Sequence, residues 1–234
     1  MSRTMRYSKI LPVGKFSKPE AGCTIIGVGA IGRNIAISLA QVGIGRLEIW
    51  DDDLVDEVNL GTQGYRPDQI GQSKVNALAT DLKAINPEIK LFSRDLRYSE
   101  TDRPACPNVF VCVDTMAGRT SIFKSLTKLP NLLIDCRMSP ECYRIITIGS
   151  SYKFNYKETL FPDNEAVQES CTAKSTLHCA QSAASAAITQ FTKHLRKMPI
   201  DHDFTYNLFT NELIIEEQKP RKTKVKRKPV SKLG

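Results

Sequence analysis

The sequence predicts an α/β fold with a mixed sheet, parallel in its first half and partly antiparallel beyond it. Three observations carry this. From Cys23 to about Lys128, short apolar runs alternate with segments of helical period, the mark of strands joined by helical crossovers. The first run, Cys23-Thr24-Ile25-Ile26, meets the glycine turn Gly27-Val28-Gly29-Ala30-Ile31-Gly32, and a helical pattern follows at once. Later, Tyr206-Asn207-Leu208-Phe209 and Leu213-Ile214-Ile215 flank a turn near Asn211, which reads as an antiparallel hairpin.

The glycine turn sets the frame. Ile31, Ile35, Leu39 and Val42 recur at helical spacing behind it, so G-x-G-x-x-G stands at a strand-to-helix junction. Gly27 permits the tight turn, Gly29 lets a phosphate approach the backbone, and Gly32 lets the helix pack close to the strand. The helix N-terminus offers free N–H groups to an anion. A second strand, Leu47-Glu48-Ile49-Trp50, ends at Asp51. That acid lies roughly 20 residues past the glycines, where a carboxylate accepts from ribose hydroxyls. A Rossmann-like nucleotide-binding domain follows from these positions; the bland alternative is a glycine turn used only for packing.

Residues 1–20 are polar with two prolines and read as an arm. Beyond the second strand, Asp51, Asp52, Asp53, Asp56 and Glu57 crowd one loop, and acids so dense do not face a core. A loop at the carboxyl end of a parallel strand is where ligands sit in open α/β sheets. Gly71-Gln72-Ser73-Lys74 then leads into a helix carrying Val75, Leu78, Ala79 and Leu82. A lysine in a first turn opposes the helix dipole. It either faces a bound phosphate or lies in solvent. Asn86-Pro87 stops that helix, and Ile89 to Phe92 is a short strand. Asn108-Val109-Phe110-Val111-Cys112-Val113 is continuous and apolar, as a buried parallel strand is. It ends at Asp114, placed either to hold Mg²⁺, a hard ion that prefers oxygen ligands, or to cap the following helix. That helix is expected to run to about Lys128. Strands are expected from Asn131 to Asp135 and from Tyr143 to Ile148. Arg137 and Glu141 between them pair with each other or line the site. Residues 151–170 form a polar crossing segment, and an alanine-rich helix is expected from about Leu177 to Arg196.

Composition narrows the class. At 234 residues the chain fits one large domain with an extension. Residues 219–234 hold eight lysines and arginines and no acid; removing these from the 33 basic residues leaves 25, equal to the 25 acids. The net charge of +8 therefore belongs to a tail expected to be disordered, either a solvated, solubilising terminus or a contact for nucleic acid or an acidic partner. The polar N-terminus and the lack of a long apolar run predict a soluble, cytoplasmic protein without a membrane span. Seven cysteines without a C-x-x-C pair exclude a zinc ribbon and a disulfide framework. Cys23, Cys112 and Cys136 are expected to be buried packing residues.

In order and spacing these motifs resemble the ubiquitin-activating-enzyme superfamily in its compact ThiF/MoeB/HesA form. The matching positions are the glycine turn, Asp51 and Asp53, Asn59-Leu60 and Gln63, Gly71 to Lys74, Ile85-Asn86-Pro87 and Asp114. The likeness is closest over residues 20–150. It implies an ATP-binding adenylation domain over residues 21–218 that works as a homodimer. It implies adenylation of the C-terminal glycine of a ubiquitin-like or sulfur-carrier protein ending in Gly-Gly, giving an acyl-adenylate and pyrophosphate. Carried over by position, Gly29 and Ala30 lie against the phosphates, Asp51 holds the ribose, and Asn59, Gln63 and Lys74 contact phosphates or position the α-phosphate, with Gly27, Gly32 and Asp53 in the same cofactor-binding set. Lys74 and Asp114 are then catalytic, with Asp114 on Mg²⁺.

The chain also departs from that pattern. Thr62 stands where the family carries Arg; Arg66, four residues on, is the candidate replacement. Without a substitute guanidinium, activity is lowered or lost. No zinc pairs are present, so no structural zinc is expected. Arg3, Arg6 and Lys9 are candidates to reach an ATP phosphate, in a partner subunit where the dimer calls for it. Cys171, with Lys174 and His178 nearby, is either the cysteine of a covalent intermediate or a partly exposed structural one, whereas Cys179 reads as packed. An NAD-dependent oxidoreductase would share the glycines and Asp51, and a non-catalytic nucleotide-binding or scaffold protein would account for Thr62.

Overall fold

The protein is described by a computed structural model over residues 16–128, 130–149, 155–162 and 176–216. The N-terminal arm as far as residue 15, most of the polar crossing segment, Cys171, Lys174 and the basic tail lie outside the described residues.

Eight strands form one sheet in the order β3-β2-β1-β4-β5-β6-β7-β8. The first five, β1 (Cys23–Ile26), β2 (Arg46–Asp51), β3 (Lys90–Asp95), β4 (Asn108–Val111) and β5 (Leu132–Ser139), pair in parallel. The sheet then turns antiparallel through β6 (Cys142–Gly149), β7 (Asp203–Asn207) and β8 (Glu212–Ile215). The expected mixed sheet, parallel in its first half, is therefore present. β1 and β4 are buried throughout, which is why both read as continuous apolar runs.

Among the described residues, five α-helices flank the sheet: α1 (Ala30–Gln41), α2 (Val58–Gln63), α3 (Lys74–Ile85), α4 (Met116–Ser125) and α5 (Leu177–Leu195). Successive strand residues point to opposite faces, so the core divides in two. Ile25, Ile49, Phe110 and Ile134 pack with α1, α3 and α5 on one face. Ile26, Trp50, Val111 and Leu133 pack with Ile122 of α4 on the other. α5 presents Ala180, Ala183, Ala184 and Ala187, all buried, as a stripe of helical period. Short methyl side chains let that helix lie close to β5 and β6.

Several expectations shift. Residues 137 and 141 do not both lie between strands: β5 runs on through Arg137, and Pro140 and Glu141 alone turn into β6. Arg137 pairs with Asp135 rather than with Glu141. α4 stops at Ser125, whose hydroxyl returns to the Ile122 carbonyl at 2.7 Å. Cys23 and Cys136 are buried as expected, but Cys112 is only half-buried because it lies just past the end of β4. Cys179 is buried, and burial pushes its thiol up to about 11.

Candidate functional site

The carboxyl ends of β1, β2 and β4 converge on the glycine turn. Gly27 has φ +89°, and its N–H donates to the Trp50 carbonyl at 2.8 Å. A Cβ there would stand 2.7 Å from the Cys112 carbonyl oxygen, so only glycine lets β4 approach the turn this closely. At Gly32 a Cβ would fall 1.9 Å from the Gly27 oxygen, which locks α1 against the turn. Gly29 differs. Its Cβ position is open, with Gln63 Oε1 nearest at 3.7 Å, and as N-cap it supplies no side-chain bond to the first turn of α1 that Ala30 opens. The helix N-terminal donors are therefore left to an outside acceptor.

Asp51 ends β2 and holds this turn. One carboxylate oxygen accepts the Val28 N–H at 2.7 Å and the other accepts the Asp53 N–H at 3.0 Å. Each oxygen keeps a lone pair for a further donor. Burial pushes the Asp51 carboxyl above its ordinary value, against the pull of Lys74 and of the two backbone bonds. Asp53 in turn binds the next element: Lys74 Nζ donates to its carboxylate at 2.8 Å and the Lys74 N–H to its carbonyl at 3.0 Å. The Lys74 side chain is only 7% exposed, so the solvent-lysine alternative gives way to an inward one. Asp51, Asp52 and Asp53 each place one oxygen within 4.8 Å of the others.

The short helix α2 completes the rim. Asn59 is buried, and its side-chain oxygen accepts the Asp56 N–H at 2.9 Å. Gln63 Oε1 is buried without a partner. An unpaired buried amide oxygen is costly unless a donor arrives. Thr62 spends its hydroxyl on the Val58 carbonyl at 2.8 Å. Arg66 is turned to Asp68, at 3.0 Å, and to Asp81, so its guanidinium is engaged with α3 and its flank.

Asp114 lies past β4, exposed, with no hydrogen bond or ion pair among the described residues. It is not the cap of α4. Thr115 takes that place, its hydroxyl oxygen accepting the Gly118 N–H at 3.1 Å.

Sequence reasoning missed four contributors. Tyr65 is buried, and its hydroxyl donates to the Val28 carbonyl at 2.8 Å. Arg33 lies over the Tyr65 ring, 4.8 Å from its centre, and pairs with Asp81 at 3.0 Å. Arg119 and Asp135 form a buried ion pair behind Asp114. The only early signal was negative: Arg33 and Arg119 are charges within helical segments, a placement usual for solvent-facing side chains.

The residues present fit ATP and a hard cation. Open N–H groups at α1 and a glycine uncrowded by its nearest neighbour, Gln63, suit phosphates. The lone Gln63 oxygen awaits a donor, and the exposed Asp114 carboxylate, unpaired among the described residues, suits Mg²⁺.

Comparison with known proteins gives this arrangement a class. A profile of the ThiF family matches residues 19–229, and the chain belongs to that family. It is 27% identical over 161 residues to ubiquitin-like modifier-activating enzyme 5 of Arabidopsis thaliana, covering 60% of this chain and 37% of the relative. To the enzyme of that name in Oryza sativa subsp. japonica it is 40% identical over 99 residues, covering 42% and 24%. The chain thus spans well under half the length of these curated relatives. Among solved structures, E. coli MccB with ATP superposes at a TM-score of 0.73 with 17% identity, over 91% of this chain and 70% of that one. PaaA superposes at 0.69 with 19% identity, over 85% and 64%. These likenesses share the fold. Among the described residues, no helix is long and apolar enough to cross a membrane.

Proposed function

We propose that this protein is an adenylyltransferase that uses ATP to activate a C-terminal carboxylate. Its substrate is the terminal glycine of a small ubiquitin-like or sulfur-carrier protein ending in Gly-Gly. The carboxylate oxygen attacks the α-phosphorus of ATP, the bond to the bridging oxygen breaks, and acyl-adenylate and pyrophosphate result. The observation that supports this reading is a continuous line of contacts. It runs from Val28, beside Gly29 in the glycine turn, through Asp51 and Asp53 to Lys74. Nucleotidyl transfer needs mainly positioning and charge neutralisation, which such a line supplies.

In this reading the N-terminus of α1 receives phosphate oxygens. Asp51 accepts from the ribose with its remaining lone pairs. The side-chain amide N–H groups of Gln63 and Asn59 orient the phosphates, and Lys74 moves from Asp53 toward the charge that develops. Asp114 would hold Mg²⁺, which when bound neutralises phosphate charge. Homodimerisation, a cytoplasmic setting, an N-terminal arm and a separate basic tail belong to the same proposal. The relatives named as ubiquitin-like modifier-activating enzymes support a protein substrate of this kind.

Thr62 favours a second reading, in which nucleotide is bound but not turned over. Its hydroxyl is committed to the helix, and the Arg66 guanidinium to Asp68 and Asp81. Calorimetric titration with ATP·Mg²⁺ and, separately, with NAD tests both. ATP binding that weakens about tenfold or more in Asp114→Ala, with no NAD binding, is the expected result. NAD binding in place of ATP would sink the proposal. ATP binding without pyrophosphate exchange, in the presence of a Gly-Gly carrier, would leave the second reading standing.

A further inference from the structure

Behind Asp114 lies a charge network that the nucleotide contacts do not use. Asp135, on β5, is fully buried, and Arg119, Arg137 and Tyr156 converge on its carboxylate. Arg137 Nε donates at 2.8 Å and the Tyr156 hydroxyl at 2.9 Å. A carboxylate at this depth is tolerable only with such partners, because an unpaired buried charge is strongly destabilising.

The network reaches out in two directions. Arg119 spends its second Nη on backbone carbonyls, that of Cys136 at 3.1 Å and that of Val113, the residue before Asp114. Arg137 reaches the other way, to the Thr159 carbonyl at 2.8 Å and its hydroxyl at 2.9 Å. The residues on both sides of Asp114 are held, one of them by this network. The Cys112 N–H donates to Ile26 at 2.8 Å, Val113 is held by Arg119, and Thr115 caps α4. Asp114 itself is exposed and unpaired among the described residues. A free carboxylate on a fully pinned loop is preorganised, and a site of that kind depends on the side chains that pin it.

We infer that Arg119, anchored by Asp135 and Tyr156, is the positioning residue that holds the Asp114 loop for its cation. The inference rests on the proposed function, which gives Asp114 a cation to hold. Arg119 touches neither nucleotide nor reacting atoms; it acts through the Val113 carbonyl. The Asp135 cluster also ties β5 to the short 3-10 turn Tyr156–Thr159, so the metal-side loop shares one anchor with that turn.

The test uses the full chain in two mild variants, Arg119→Lys and Tyr156→Phe, with Lys124→Gln on the same helix as control. Lys124 makes an exposed pair with Glu100 and touches none of the network. Two readouts are taken: amide hydrogen exchange over residues 112–118, and the Mg²⁺ concentration giving half-maximal ATP binding. Arg119→Lys is expected to speed exchange in that loop and raise the Mg²⁺ midpoint about tenfold, leaving metal-free ATP affinity unchanged. Tyr156→Phe is expected to shift both in the same direction by less, and the control to shift neither. If wild type depends on Mg²⁺ and both variants keep its midpoint and its exchange rates, the positioning role is overturned while the proposed function stands. Should wild-type ATP binding show no Mg²⁺ dependence, the function assigned to Asp114 fails, and this role fails with it. A uniform loss of ATP affinity with or without metal would mark Arg119 as a general structural residue and also overturn the inference.

Discussion

Two glycines of this chain, Gly32 and Gly61, answer an added methyl group in opposite ways, and contact geometry separates them. Gly32 is squeezed: a methyl group there would meet the Gly27 oxygen at 1.9 Å, and neither backbone can yield without opening the turn. Gly32→Ala is expected to cost about 3 kcal/mol, at the upper end for overpacking, and to lower Tm by roughly 6–12 °C. Gly61 is the contrast. It sits inside α2 with nothing within 4 Å of a Cβ. Gly61→Ala is expected to stabilise by about 0.4–1 kcal/mol, because alanine restricts the unfolded chain and suits a helix. Thermal unfolding of the two variants side by side checks both signs. If the two melt alike, the steric account of the turn is wrong. The roles of Gly27 and Gly32 were legible in the motif, since backbone sterics are local. The lone Gln63 oxygen was not, because its isolation depends on α2 folding over Gly29.

Helix starts show how far local sequence reaches. Thr176 and Thr115 cap α5 and α4 with their own hydroxyls, and the start expected for α5 near Leu177 agrees with Leu177–Leu195. Thr176 also donates to the Pro140 carbonyl at 2.7 Å, tying α5 to the β5–β6 turn. Thr176→Ala therefore loses a cap and a tertiary bond together. The expected cost is about 1–2 kcal/mol, read as a lower urea midpoint at unchanged m-value. A midpoint equal to wild type would show that α5 is held by its alanine stripe alone. At α4 the cap passed from Asp114 to its neighbour. Either side chain can accept from a first-turn N–H, and sequence alone does not rank two adjacent caps. The consequence matters, since Asp114 is freed by Thr115.

Among the described residues the sheet ends at β8 without a further strand beside it. β8 is exposed along its length, with Leu213 at 54%, Ile214 at 48% and Ile215 at 55%. An edge strand with free backbone groups and apolar side chains pairs readily with other chains. Light scattering is expected to rise with protein concentration and to fall in Ile214→Lys, with Tm nearly unchanged. Equal scattering from both proteins would show that the edge is covered. The parallel half of this sheet was legible because buried strands, crossover helices and glycine turns each leave a local pattern in the chain. The glycine loop, the acid after β2, Lys74 and Asp114 could be placed for the same reason: all lie at strand or helix ends. What pairs with Lys74, what occupies Arg66 and what surrounds Asp135 was decided by the tertiary structure alone. Those partners come from elements up to tens of residues apart, brought together by the sheet order. A charge in a helical segment carries no local sign of whether it meets water or a buried carboxylate.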